Sequence, residues 1–234
     1  MTYRPTYSYT TSYPLTSAQP HRLSTSRREL VQITGAFLVL TLDFVLILYV
    51  GGLAFSSPAL FSAFPLWLAV ATAATASFTA FVAHEMAHKI SAQLGGYWAE
   101  FRWAPLWLAF SVLTSFFGFL WAAPGATVVG GMGNPRDWAK TSLAGPMTNL
   151  SFAAIFYTGS VATYHFGPSA FLPLLVIAYL NGWFGAFNLL PLGPLDGAKV
   201  LRWSTTTWAA AFAISLVGAG VCAVSLLFYG RPIF

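Results

Sequence analysis

Most of the chain consists of apolar runs, several of them about 20 residues long, the length that an α-helix needs to cross a bilayer. Of the 234 residues, 57% are hydrophobic and 7% are charged, whereas about a quarter of the residues of a soluble domain are charged. The sequence therefore predicts an all-α fold, a polytopic transmembrane helical bundle of five to six spans in a lipid bilayer.

Basic residues flank the apolar runs and do not form one stripe, although the formal net charge is +5. Lys and Arg beside apolar spans are typical topology signals, whereas nucleic-acid binding requires a clustered basic face. We therefore expect no nucleic-acid partner. The single cysteine, Cys222, allows no intrachain disulfide.

The N-terminal residues 1–28 are rich in Tyr, Ser, Thr and Pro and lack the periodicity of a core, so we predict a disordered arm. Ser26 and Glu29 have the spacing of a helix capping box, which predicts the start of a first span over 30–53. Residues 29–234 are expected to form one transmembrane domain.

A second helix is predicted from Pro65 to the glycine pair at 95–96. Residues 69–80 of this helix are mostly Ala, Thr and Ser, which allow other helices to approach its backbone closely, so we place it in the centre of the bundle. Further apolar runs, which also have the composition of membrane segments, cover 105–122, 141–164, 171–190 and 208–229.

The second helix carries the sequence His84-Glu85-Met86-Ala87-His88. Histidines four positions apart lie on one face of a helix, so both imidazoles can bind one zinc ion. The adjacent carboxylate can then take a proton from an attacking water. Since a carboxylate within a span costs about 2.5 to 3.5 kcal/mol, a functional role for Glu85 is favoured over a chance pattern.

Two histidines leave a catalytic zinc site one protein ligand short. Asp196 is the best candidate, because it follows an apolar helix that breaks at 188–197, where two prolines remove amide donors. Another class of membrane zinc peptidase takes its third ligand from a downstream glutamate, but only Glu100 lies downstream, directly after the glycine pair.

These motifs resemble those of the site-2 protease family of intramembrane zinc metalloproteases (peptidase family M50). The sequence HEMAH at 84–88 matches the family's HExxH, and NLLPLGPLDG at 188–197 matches NxxPxxPxDG. A third element, GPMTN at 145–149, is similar to the family's GPxxN. The resemblance covers about 65–200, and the motifs occur in the family's order.

The resemblance implies that one zinc ion per chain is bound by His84, His88 and Asp196, with Glu85 as general base. It also implies that Asn188 lines the site, where an amide can hydrogen-bond a substrate carbonyl or the developing oxyanion. Asn149 is a further candidate catalytic residue, with helix packing as the alternative role.

The activity implied by the resemblance is hydrolysis of peptide bonds within transmembrane helices of single-span membrane-protein substrates, as in regulated intramembrane proteolysis. The non-enzymatic alternative is a membrane transporter or metal-binding channel, in which the histidines and acids form a permeation site. The sequence does not predict an oligomeric state.

The segment 105–122 is expected to be re-entrant, because the second helix and the helix before Asp196 must end at the same depth for their residues to share a metal. We expect a protein of the cell membrane with a cytoplasmic N-terminus. A five-span arrangement then places ten Lys and Arg on the cytoplasmic side and one on the outer side. Six spans would give seven and four, which fits the positive-inside rule less well.

Overall fold

The computed structural model describes residues 23–49, 65–118, 120 and 124–229. These residues form seven helices and one two-stranded sheet, so the predicted all-α helical bundle is confirmed, with a small sheet added. The elements in chain order are α1 (Arg27–Tyr49), α2 (Leu66–Leu94), β1 (Trp98–Trp103), α3 (Pro105–Ser115), β2 (Gly125–Gly130), α4 (Pro135–Thr163), α5 (Pro168–Asn188), α6 (Asp196–Trp203) and α7 (Thr205–Tyr229).

Four helices of the described chain, α1, α2, α5 and α7, are long and apolar enough to cross a membrane. The 29-residue α4 covers 141–163 of the predicted span 141–164, but polar residues such as Ser142 and Asn149 occupy its buried face. Large apolar side chains such as Leu38 and Val217 are exposed on the outer surface, as lipid contact requires. The structure therefore agrees with a multi-pass membrane protein, while the number of crossings stays a prediction.

The small residues of α2 face the interior of the bundle, as predicted. Ala69, Ala73, Ala76 and Ala80 are almost fully buried, and α1 and α5 pack against this stretch of the helix. Small side chains allow this close packing because they keep the helix backbones near one another.

The start of α1 is tied to the rest of the bundle by a buried ion pair. The Glu29 N–H donates to Ser26 Oγ at 3.1 Å, which forms one half of the predicted capping box. The Glu29 side chain turns inward, where Oε2 lies 2.5 Å from Lys89 Nζ and Oε1 accepts from the Phe101 N–H at 2.9 Å. Ser24 also hydrogen-bonds α2 through Gln93, so of the predicted disordered arm only 1–22 lie outside the described residues.

The segment between the two strands leaves and returns at the same end of the bundle. Strands β1 and β2 pair antiparallel with Trp103 opposite Gly125, and the Ala104 N–H donates to Pro124 O at 2.9 Å. Helix α3 has 11 residues and is about 16 Å long, roughly half the thickness of the hydrocarbon core. This geometry supports the predicted re-entrant segment, although the strands were not predicted from the sequence.

Helix α3 is apolar on its outside and polar on its inside. Leu106 and Leu113 are exposed, whereas Ser111 and Ser115 are fully buried. Ser111 Oγ lies 2.6 Å from Asp43 Oδ2 of α1, and Ser115 Oγ lies 3.4 Å from Oδ1. Asp43 of α1 therefore contacts a neighbouring helix.

Candidate metal centre

Helix α2 changes its winding just before the HEMAH sequence. Residues Phe78–Val82 form a π-helical turn, and the α-helix resumes over Ala83–Leu94. A π-helical turn disturbs the regular backbone hydrogen-bond pattern and is frequent at functional sites. Here the carbonyl oxygen of Ala80 accepts a hydrogen bond from Asn149 Nδ2 of α4 at 3.0 Å.

The structure brings the three predicted metal ligands together. His84 Nε2 and His88 Nε2 are 2.9 Å apart, and Asp196 Oδ2 lies 3.5 Å from the first nitrogen and 3.0 Å from the second. All three residues are buried, and their ligand atoms lie within 4.8 Å of one another. Asp196 reaches the histidines because it is the first residue of α6, directly after the broken segment.

Hydrogen bonds on the far side of each ring determine which histidine nitrogen faces the cluster. His84 Nδ1 lies 2.6 Å from Asn149 Oδ1, and His88 Nδ1 lies 2.7 Å from Thr141 O. Because the Asn149 amide nitrogen faces backbone carbonyls, its oxygen must accept from His84. Both rings therefore donate through Nδ1, which leaves their Nε2 lone pairs available for a metal ion between the rings and Asp196, the arrangement found in metal-binding histidines.

Asn149 is itself held by Asn181, a residue that was not identified from the sequence. Asn149 Nδ2 lies 3.3 Å from Asn181 Oδ1, and Asn181 Nδ2 donates to Thr79 Oγ1 at 2.8 Å and to Ile177 O at 2.9 Å. Both asparagines are fully buried. The signal that could have identified Asn181 is an amide within an apolar run, since polar groups at membrane depth require partners.

Two glycines of the motifs allow close approach of the backbone. A Cβ on Gly145 would lie 2.6 Å from His88 Cε1 and 2.7 Å from His84 Cε1, so α4 packs directly against both rings. A Cβ on Gly197 would lie 2.7 Å from Leu190 O, so the chain before α6 folds against the first turn of that helix. These contacts give a physical reason for the glycines of GPMTN and LDG.

The two carboxylate oxygens of Asp196 have different partners. Oδ2 faces the imidazoles, whereas Oδ1 accepts from Lys199 Nζ at 3.2 Å. The positive charge of Lys199 beside Oδ1 favours the ionised form of Asp196, the form in which a carboxylate binds a metal ion.

The Glu85 carboxylate is held by the hairpin strand β2. Its Oε2 atom accepts from the Thr127 N–H at 2.7 Å and from Thr127 Oγ1 at 2.8 Å. The Glu85 side chain is buried, and it lies beside the cluster as the neighbour of His84. Thr127 was missed from the sequence, because no local pattern links it to a residue 42 positions earlier.

Asn188 is the last residue of α5 and is half-buried. Its Nδ2 donates to Phe184 O at 2.9 Å, so this nitrogen is turned toward its own helix. The predicted substrate-binding role of Asn188 therefore stays a prediction. Glu100, the alternative third ligand, forms an ion pair with Arg102 on β1.

The donor set is consistent with a bound metal ion. Two imidazole nitrogens and one carboxylate oxygen are ligands that zinc accepts, and here they are buried and directed at one point. Three protein ligands would leave a fourth position for a reacting molecule, as in catalytic zinc sites.

Known proteins with similar sequences point to the same chemistry. The chain is 35% identical over 133 residues to "Putative zinc metalloprotease MJ0611" of Methanocaldococcus jannaschii, a match that covers 55% of this chain and 68% of that protein. It is 33% identical over 143 residues to "Putative zinc metalloprotease Rip3" of Mycobacterium tuberculosis strains Erdman and H37Rv. That match covers 58% of this chain and 31% of Rip3, so the chain spans about a third of the longer relative.

No family model and no solved structure matches the chain. The archaeal match nevertheless extends over 68% of the relative, and the three donor atoms that a metalloprotease requires meet at one point. The chain therefore belongs to the zinc metalloprotease family of these relatives.

Proposed function

We propose that the protein is an intramembrane zinc metalloprotease of the site-2 type, which hydrolyses peptide bonds within transmembrane helices of single-span membrane-protein substrates. The observation that carries this proposal is the convergence of His84 Nε2, His88 Nε2 and Asp196 Oδ2. The helix that bears both histidines is itself long and apolar enough to cross a membrane. One zinc ion per chain is the expected cofactor, as the names of the relatives suggest.

Zinc bound by His84, His88 and Asp196 would act as a Lewis acid that activates water and polarises the substrate carbonyl. Glu85 takes a proton from the attacking water and delivers it to the leaving amine nitrogen as the peptide bond breaks. Asn149 and Thr141 O keep the two imidazoles in the required orientation through Nδ1.

Asn188 is proposed to stabilise the negative charge that develops on the substrate carbonyl oxygen. Its Nδ2 would have to turn away from Phe184 O, to which it now donates. A buried substrate helix must also unwind locally, because the amides of an intact helix are shielded and hydrogen-bonded. Substrates with small or helix-breaking residues near the scissile bond are therefore expected to react fastest.

The test is proteolysis by the purified full chain in lipid nanodiscs, with a panel of single-span substrates and mapped cleavage products. Glu85→Gln is expected to keep about one zinc per chain and to lose roughly 10²- to 10⁴-fold in turnover, because only proton transfer is impaired. Asp196→Ala is expected to lose both zinc and turnover, because a ligand is removed. Asn188→Ala should keep zinc and lose turnover.

Unchanged cleavage by Glu85→Gln would contradict the peptidase proposal. Zinc uptake into proteoliposomes that survives the same substitution would instead support the transporter or channel, since a permeation site does not need a general base. Equal losses of zinc and turnover in Asn188→Ala would reduce Asn188 to a structural residue.

We also propose that the N-terminus is cytoplasmic, because this orientation places most Lys and Arg on the cytoplasmic side of the cell membrane. Arg136 at the start of α4 is exposed, and so is Phe166 in the turn after its other end. In a Cys222→Ala background, an impermeant thiol reagent on intact cells should label a cysteine at 166 and not one at 136. The reverse pattern would contradict the orientation.

A further inference from the structure

We propose that Thr127 of β2 is a positioning residue for Glu85. The strand pair of β1 and β2, as well as α2, then determines where the carboxylate of the general base points. This inference rests on the proposed function. Its physical basis is that both polar groups of Thr127 bind the same carboxylate oxygen, at 2.7 Å from the N–H and 2.8 Å from the hydroxyl.

The Thr127 hydroxyl has one hydrogen, and both of its acceptors belong to Glu85. The shorter contact is to Oε2 at 2.8 Å, and the longer one is to the backbone oxygen at 3.0 Å. The hydrogen goes to Oε2, because this contact is the shorter one and its acceptor is a charged carboxylate. The Thr127 side chain therefore pairs with Glu85 in particular, because both contacts of its hydroxyl are to that residue.

The strand pair is held between two buried carboxylates. Thr127 lies opposite Phe101 in the sheet, and opposed residues of an antiparallel pair either exchange both hydrogen bonds or neither. The Phe101 N–H donates to Glu29 Oε1 and the Thr127 N–H donates to Glu85 Oε2, so neither bonds across the sheet. Glu29 thus binds the outer edge of β1, and Glu85 binds the outer edge of β2.

This arrangement selects one orientation of the Glu85 side chain. A glutamate on a helix can occupy several rotamers, and two hydrogen bonds to Oε2 favour the one that points to β2. With both donors on Oε2, the proton from the attacking water goes to Oε1. Thr127 therefore acts on the reaction through the orientation of Glu85.

The decisive comparison is Thr127→Val against Thr127→Ser in the full chain. Valine has the shape of threonine and keeps the backbone N–H, but it removes the hydroxyl, whereas serine keeps the hydroxyl. Because a hydrogen bond to a charged group is lost, we expect kcat of Thr127→Val to fall about tenfold or more. KM and zinc content should stay unchanged, and Thr127→Ser should restore most of kcat.

Thr75→Val is the matched control. Thr75 lies on α2, is not buried, and its hydroxyl bonds Ala71 O of the same helix, so its loss should leave kcat unchanged. A Thr127→Val protein with wild-type kcat would overturn the proposal. A rise in KM at constant kcat, or a parallel loss of zinc, would also overturn it by showing a role in substrate or metal binding.

A second measurement does not depend on turnover. Hydrogen exchange of peptides covering 125–130, without substrate, should be faster in Glu85→Ala than in the wild type, because the acceptor of the Thr127 N–H is removed. The Thr75→Val protein should show no change. Unchanged exchange in Glu85→Ala would overturn the contact itself. If the wild type cleaved no substrate while this exchange result held, the proposed function would fail and the contact would stand.

Discussion

The metal centre and the segment between the strands are built in different ways. At the metal centre, each imidazole has a hydrogen-bond acceptor behind it and α4 lies directly against both rings. The described residues of the segment 104–124 include the short helix α3, which contacts α1 through two serine hydroxyls near Asp43 among other residues. The first region is fixed from several sides, whereas the second is attached at its ends and along one face.

This difference shows which residues of the candidate site a local sequence pattern can identify. The two predicted histidine ligands were found because HEMAH places them on one helix face, a relation that depends only on helical spacing. Asp196 was found from the broken segment at 188–197 and from the motif that contains it. The same spacing argument gives no access to Thr127 or Asn181, which meet their partners across different elements. Contacts of this kind depend on how helices and strands pack, and local patterns do not encode them.

The largest effect in this comparison is expected for Asn149→Ala. The substitution removes the acceptor of the His84 Nδ1 proton, which lies at 2.6 Å, and also the donor to Ala80 O. Loss of an orienting partner of a metal-binding histidine typically weakens metal affinity by about 10- to 100-fold. Competition of the purified protein with a fluorescent zinc chelator would measure this affinity.

The matched control for Asn149→Ala is Ser151→Ala on the same helix. Ser151 is exposed and its hydroxyl bonds Met147 O within α4, so zinc affinity should not change. Asn149→Asp keeps an oxygen acceptor for His84 and should retain more affinity than the alanine variant. Equal zinc affinity in the wild type and Asn149→Ala would show that the rigidity ascribed to the metal centre does not depend on this contact.

The helices themselves were predicted well from the sequence, but the first residues of α4, α5 and α7 were not. The runs at 141–164, 171–190 and 208–229 correspond to α4, α5 and α7, but each helix begins three to six residues earlier. Prolines at 135 and 168 start two of these helices, because proline fits the first helical turn. Apolar content alone did not reveal these polar first turns.

The candidate site was predicted through its ligands and less completely through its supporting residues. His84, His88 and Asp196 come together as expected, and Gly145 receives a physical role that the motif match alone did not supply. The strands were missed because β1 and β2 are short and 21 residues lie between Trp103 and Gly125. Their pairing depends on a long-range contact, and this contact supports the predicted re-entrant segment.

The smallest effect is expected at Asp43, where α3 contacts α1. In Asp43→Leu the contact to Ser111 is lost, but each serine hydroxyl keeps a carbonyl of its own helix, Leu108 O or Val112 O, at 2.8 Å. No buried group is left without a partner, so only the contact between helices is weakened, and one hydrogen bond contributes about 1 kcal/mol. Local opening of α3, measured by hydrogen exchange of peptides covering 105–115 in nanodiscs, should rise about fivefold.

Asp43→Asn, which has a similar shape and a polar group for Ser111, should stay near the wild type, and peptides from α2 around His84 should be unchanged in both variants. Equal exchange in the leucine and asparagine variants would show that apolar packing of Leu108, and not the Asp43 contact, holds the segment in place.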